Sequence, residues 1–188
     1  MLSAAGYDRH VEQLLDVVKR LAEALSGAGI DYRIVGGVAV FLHVRERDPL
    51  AARMTRDIDV AIHRRDLGAI AEVAPAYGSE YRHAAGVDML VDRLAPETRS
   101  AVHFVFAGEK ERPEYAEPVP PFSEAVRSAE GLLLAPVADL VRMKVTSFRL
   151  RDQVHLKDMD TIGLITPEIE ASLPELLLAG LHHLRTLS

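Results

Sequence analysis

The chain has 188 residues, 48% of them hydrophobic and 27% charged, which is ordinary for one globular domain with a proper core. A net charge of -6 and a pI of about 5.7 exclude a globally basic surface built for nucleic acid, while leaving room for a local basic patch. With no cysteine, disulfides, thiolate metal sites and thiol nucleophiles are excluded as well.

The chain opens on MLSAAGYDRH, which lacks a basic stretch followed by an apolar one, so no secretory leader is expected. The longest apolar runs, such as LLLAPVA at 132–138, are too short to cross a bilayer. A soluble, cytoplasmic protein is the expectation. From Tyr7 to Gly27 the residues Val11, Leu14, Leu15, Val18, Leu21 and Leu25 recur at helical spacing, with Gly27 and Gly29 as the stop. Tyr32 to Val35 reads as a buried strand ending at Gly36-Gly37, and the apolar run 38–44 opens a helix. Arg45 to Arg56, charged and carrying Pro49, reads as a loop. A strand over Asp57–Ile62 and a helix from about Arg64 to Ala76 follow, then strands at 86–91 and 101–108. Four of the ten prolines fall between Pro113 and Pro121, in an irregular connection. Beyond it the pattern turns helical: 137–148, then 152–164. Thr166-Pro167 is an N-cap and first-turn pair for a last helical segment that Pro174 interrupts. The order predicts an α+β (α/β) fold with a small mixed sheet flanked by helices and a helical C-terminal part. Residues 1–120 form the expected α/β core, and 121–188 a helical part packed on it as one structural unit.

The run Arg53-Met54-Thr55-Arg56-Asp57-Ile58-Asp59 raises a chemical question. Alternation puts Asp57 and Asp59 on one face of a strand, and two adjacent carboxylates repel unless something cationic sits between them. An exposed edge-strand face is the plain alternative. Gly36-Gly37 is either a tight turn or a place where the backbone must approach something closely. Lys144 and the group Arg149, Arg151, Asp152 read as an ordinary charged helix end or as an anion site.

A Gly-Gly ending a strand, with Asp57 following Gly37 by 20 residues, resembles the signature of nucleotidyltransferases of the polymerase-β superfamily. Arg53-x-Thr55-x-Asp57-x-Asp59, with Lys144 and Arg149-x-Arg151-Asp152 downstream, is similar to the abortive-infection, type IV toxin-like branch. The resemblance covers roughly Tyr32 to Leu164. It implies a nucleotidyltransferase-like fold, and binding of a nucleoside triphosphate (NTP) with Mg2+ held by Asp57 and Asp59. It also implies transfer of a nucleotidyl group to a hydroxyl of RNA, protein or a small molecule. Gly36, Gly37, Arg53, Thr55, Arg56, Lys144, Arg149, Arg151 and Asp152 are then the expected nucleotide-binding residues. Two carboxylates are hard oxygen ligands suited to Mg2+, and glycines let backbone N–H groups approach phosphate.

Two departures are visible. A third catalytic carboxylate is expected on a later strand, where AVHFVFAG carries His103; Asp88 in GVDMLV is the other candidate. His155 stands where a further Asp is expected, with Asp158 nearby to compensate. These departures leave a second expectation open: a catalytically degenerate relative acting through a nucleotide or a protein partner, as in toxin–antitoxin pairs, or as a homo-oligomer. A hydrogen-bonded core histidine is the structural alternative for His103. Glu109-Lys110-Glu111-Arg112 reads as a solvated hairpin end or loop, and the stripe Leu176–Leu181 as core or oligomer contact.

Overall fold

The computed structural model describes residues 4–53, 55, 57–94 and 101–187, with side chains from residue 11 onward. Its centre is a mixed sheet in the order β3-β4-β5-β2-β1-β7-β6. The strands are β1 (Tyr32–Val35), β2 (Ile58–Ile62), β3 (Ser79–Ala84), β4 (Val87–Asp92), β5 (Val102–Phe106), β6 (Val126–Arg127) and β7 (Leu133–Leu134). The helices are α1 (Ala4–Gly27), α2 (Gly36–Arg47), α3 (Leu67–Val73), α4 (Val137–Ser147), α5 (Leu150–Thr161), α6 (Pro167–Ala171) and α7 (Glu175–Thr186). Short 3-10 turns, Arg64–Asp66 and Ala74–Tyr77, flank α3. The small mixed sheet flanked by helices expected from the sequence is present.

Strand β2 lies between β1, with which it pairs antiparallel, and β5, with which it pairs parallel. Because opposed residues share a face, register sorts the side chains. Val60 stands beside Ile34 and Phe104, and Leu90 beside Val102, on one face. Residues of α1 and α3, including Leu21, Leu25 and Ile70, meet Leu90 and Val102 there. The other face carries Val35, Asp59, His103 and Met89 in one row across four strands.

Helix α1 buries Leu14, Leu15, Val18, Leu21, Ala22 and Leu25, a stripe at helical spacing, and ends at Gly27. Helix α2 is buried continuously from Gly37 to Val44, because it packs on β1 and β2 and against α4 and α5. A helix enclosed on all sides loses its amphipathic period, which explains why 38–44 reads as a bare apolar run. Thr166 caps α6, accepting from the Ile169 N–H at 3.4 Å, with Pro167 in the first turn. In α7, Leu177, Leu181 and Leu184 are core while Leu176 is 69% exposed, so the 176–181 stripe divides between the two.

Three strands were not legible. Strand β3 (SEYRHA) carries polar residues on both sides because it is the sheet's edge, and its hairpin partner β4 supplies the apolar signal. Strands β6 and β7 are two residues each, shorter than any periodicity can register, and they lie in the region read as helical. The helix expected from Arg64 to Ala76 is α3 with its two flanking turns.

Candidate functional site

Strand β1 ends at Val35, and Gly36 turns the chain into α2 with φ +64, in the left-handed region that favours glycine. A Cβ at Gly36 would lie 2.1 Å from Asp59 Oδ2, so the missing side chain lets the backbone press against the carboxylate. A Cβ at Gly37 would meet Thr55 Oγ1 at 2.3 Å. Thr55, only 7% exposed, therefore seats the loop before β2 on the second glycine. The glycine pair, Thr55 and Asp59 are one packed unit, which decides against a mere tight turn.

Asp59 opens onto a cleft of about 420 Å3. Its walls include Val35 and Gly36, His103 of β5, Lys144 and Ser147 of α4, Arg149 and Asp152, and the segment Glu109–Arg112. His103 Nδ1 is 3.6 Å from Asp59 Oδ1 and its side chain is 30% exposed, so it is a cleft histidine rather than a core one. Asp57 stands just before β2, and its carboxylate pairs with the Arg151 guanidinium. Both members are exposed, a class of pair worth little and easily exchanged. Arg53 Nε donates to Asp158 Oδ1 at 2.8 Å. Arg56 lies outside the described residues.

Lys144 is buried at 5% exposure and donates to Asp152 Oδ1 at 3.2 Å. Asp152 also accepts from Ser147 Oγ at 2.7 Å, Arg149 Nε at 2.8 Å and the Arg149 N–H at 3.3 Å. Burial works to raise the Asp152 carboxyl, but the bonds from Arg149 and Ser147 and the charge of Lys144 outweigh it and hold it low. The Lys144 ammonium shifts down as well, because its burial exceeds what Asp152 returns. Asp152 thus caps α5 and anchors Lys144, and an ordinary charged helix end is excluded for Lys144 by its burial. His155 projects from α5 toward Gly37, and burial, with Lys144 beside it, lowers its pKa to about 4. Its Nδ1 is buried without a hydrogen-bond partner.

Asp88 borders the cleft but is in register with Phe104, so it faces away from Asp59 and His103. Its carboxylate accepts from Tyr81 Oη at 2.6 Å and contacts His83 Nδ1 at 2.7 Å. Arg64 lies 3.9 Å from Asp88, stacks 3.6 Å above the Phe106 ring and holds Glu109 with two nitrogens. Arg64, His83 and the segment 109–112 were missed as cleft residues. No signal pointed to the first two. The mixed charges of 109–112 look like any solvated loop until the chain after β5 is seen to fold back over the cleft.

No family model matches the sequence, and no curated protein matches it. Among solved structures, the chain is similar to an antigenic nucleotidyltransferase-like protein from Paracoccidioides brasiliensis. That match has 20% identity and a TM-score of 0.60, over 94% of this chain and 88% of that one. The fold is nucleotidyltransferase-like. It is also similar to ANT(2'')-Ia in complex with adenylyl-2''-tobramycin, at 12% identity and a TM-score of 0.54, over 94% of this chain and 98% of that one. Among the described residues, no group of three or more His, Asp or Glu side chains is gathered to hold a metal ion. Asp57 and Asp59 nonetheless offer hard oxygen donors either side of Ile58, a pair that suits Mg2+ completing its shell with phosphate oxygens and water.

Proposed function

We propose that this protein is a nucleotidyltransferase that binds NTP with Mg2+ in the cleft and transfers a nucleotidyl group to a hydroxyl acceptor. The observation that carries the reading is the close seat of Gly36 against the Asp59 carboxylate at the start of α2, inside a nucleotidyltransferase-like fold. An anion placed at this helix start meets free backbone N–H groups and the positive end of a twelve-residue helix. In this reading Lys144 faces the triphosphate, and Asp152 holds the lysine in place without touching the nucleotide. Arg151 releases Asp57 and turns to phosphate, while Arg149 covers the cleft mouth. Arg53 and Thr55 shape the loop before β2. Asp57 and Asp59 would hold Mg2+, which when bound neutralises phosphate charge and polarises the reacting phosphorus.

The acceptor is a hydroxyl of RNA, protein or a small molecule, and one neighbour carries an adenylylated tobramycin. The abortive-infection, toxin-like branch and a cytoplasmic setting belong to the same proposal. Among the described residues no helix is long and apolar enough to cross a membrane. A second reading is favoured by one observation: His103 stands beside Asp59 where a third carboxylate would assist the acceptor. Under it the chain binds nucleotide or a protein partner, as in a toxin–antitoxin pair, without turnover.

Thermal unfolding with each NTP, with and without Mg2+, tests the binding step. A ligand at ~100 times its Kd adds about 2.7 kcal/mol. A Mg2+-dependent shift that disappears in Asp57→Asn/Asp59→Asn is the expected result. No shift with any nucleotide sinks the enzyme reading.

A further inference from the structure

Among the described residues, five carboxylates line the cleft: Asp59, Asp88, Glu109, Glu111 and Asp152. Three are committed. Asp88 is held by Tyr81 and His83, Glu109 by Arg64, and Asp152 by Lys144, Ser147 and Arg149. Asp59 stands against Gly36 and beside His103. Glu111 is different. Among the described residues no side chain or backbone group hydrogen-bonds or ion-pairs with it, although Arg64, Lys110, Arg112, Lys144 and Arg149 line the same cleft.

From this we infer that Glu111 is the general base for the acceptor hydroxyl, supplied by the chain after β5 in place of a carboxylate at position 103. The inference rests on the nucleotidyltransferase reading above. Glu111 belongs to the segment that leaves the end of β5, and it is open to solvent at the cleft mouth, where an acceptor would arrive. A carboxylate left unpaired in this way accepts a proton more readily than an ion-paired one. His103 takes the other role left at its position, standing 3.6 Å from Asp59 and steadying that carboxylate.

The step balances without any further reactant. The acceptor oxygen forms a bond to the α-phosphorus of the NTP, and its proton passes to a Glu111 carboxylate oxygen. The bond from that phosphorus to the bridging oxygen breaks, and pyrophosphate leaves with the electron pair.

The test follows labelled NTP with Mg2+ to pyrophosphate and nucleotidyl product, with water and then with tobramycin as the hydroxyl probe. Wild type, Glu111→Gln, Glu111→Asp and His103→Ala are compared, and NTP-dependent thermal shifts are recorded in parallel. Removing a general base costs roughly a hundredfold or more. Glu111→Gln is therefore expected to lose at least that factor in rate, together with the rise of rate with pH, while its NTP shift stays within error of wild type. Glu111→Asp restores part of the rate. A Glu111→Gln rate within threefold of wild type, or an unchanged pH profile, overturns the inference, and so does nucleotide binding by wild type with no turnover for either acceptor. Absence of any nucleotide shift in wild type fails the function reading itself, a separate result from the first two.

Discussion

Asp152→Ala isolates the energetics of the lysine anchor. Asp152 is 3% exposed and receives hydrogen bonds from three side chains and one backbone N–H. Deleting it leaves the Lys144 ammonium, 5% exposed, without its counter-charge, and breaking a buried pair from one side costs about 3–5 kcal/mol. For a chain of this size that lowers Tm by on the order of 10 °C. Urea unfolding followed by far-UV circular dichroism measures it. The pH dependence has a definite sign. The depressed Asp152 carboxyl contributes stability that is complete above the unfolded value of about 3.9 and is lost as pH falls through the folded value. The depressed Lys144 has the same sign of slope at the alkaline end: it is a penalty at neutral pH, relieved as stability rises between its folded pKa and the unfolded value of about 10.4. In Asp152→Ala that alkaline recovery begins at lower pH. The double variant Lys144→Met/Asp152→Leu removes both charges and regains most of the lost stability. It still gives no NTP shift, separating the anchor's structural part from its proposed binding part. An Asp152→Ala cost below about 1 kcal/mol, or a double variant no more stable than Asp152→Ala, would refute the reasoning.

Gly37→Ala forces a Cβ to within 2.3 Å of Thr55 Oγ1, so it destabilises by about 1–3 kcal/mol, and adding Thr55→Ala recovers part of that in a double-mutant cycle. Recovery is incomplete, because Thr55 Cβ remains 3.0 Å from the new atom. His155, lowered to about 4, contributes stability that is complete above the unfolded value of about 6.5 and falls away toward pH 4, a span of up to about 3 kcal/mol. His155→Gln flattens that slope in acid titrations of stability; an unchanged slope would assign the acid lability to another group. Arg151→Ala, which touches only the exposed Asp57 pair, changes stability by less than about 1 kcal/mol but weakens the Mg2+-dependent NTP shift.

Much of the architecture could be read from residue order, because α1, β1, β2, β5 and the C-terminal helices each carry an apolar period or a terminus signal of their own. The pairing of glycines with Thr55 and Asp59 was anticipated only as a spacing. What the spacing could not supply is the contact itself, Gly36 on Asp59 and Gly37 on Thr55, which depends on the β1–β2 register. Asp88 and His103 stayed undecided in sequence, since both sit in similar apolar strands. One residue of register between β4 and β5 turns Asp88 to the opposite face, and no local pattern encodes that shift. Asp152 looked like a ligand-facing charge, yet its four hydrogen bonds make it the fixed point of its neighbourhood. Glu111 was passed over because a carboxylate among mixed charges carries no mark of what folds across it.

The sheet's strand order has a consequence for when the cleft comes into being. Strand β1 is completed on one side by β2, about thirty residues on, and on the other by β7, which pairs Leu134 with Ile34 a hundred residues downstream. Lys144 and Arg151 arrive later still, on α4 and α5. A chain emerging from the ribosome therefore carries its aspartates and glycines long before it carries the cations that face them. Contacts so distant in sequence close slowly, and until they close, Asp57 and Asp59 stand as an unshielded pair of like charges. The cleft is therefore among the last parts of the fold to be completed, closed only once β7 has paired with β1 and the helices that follow it have packed.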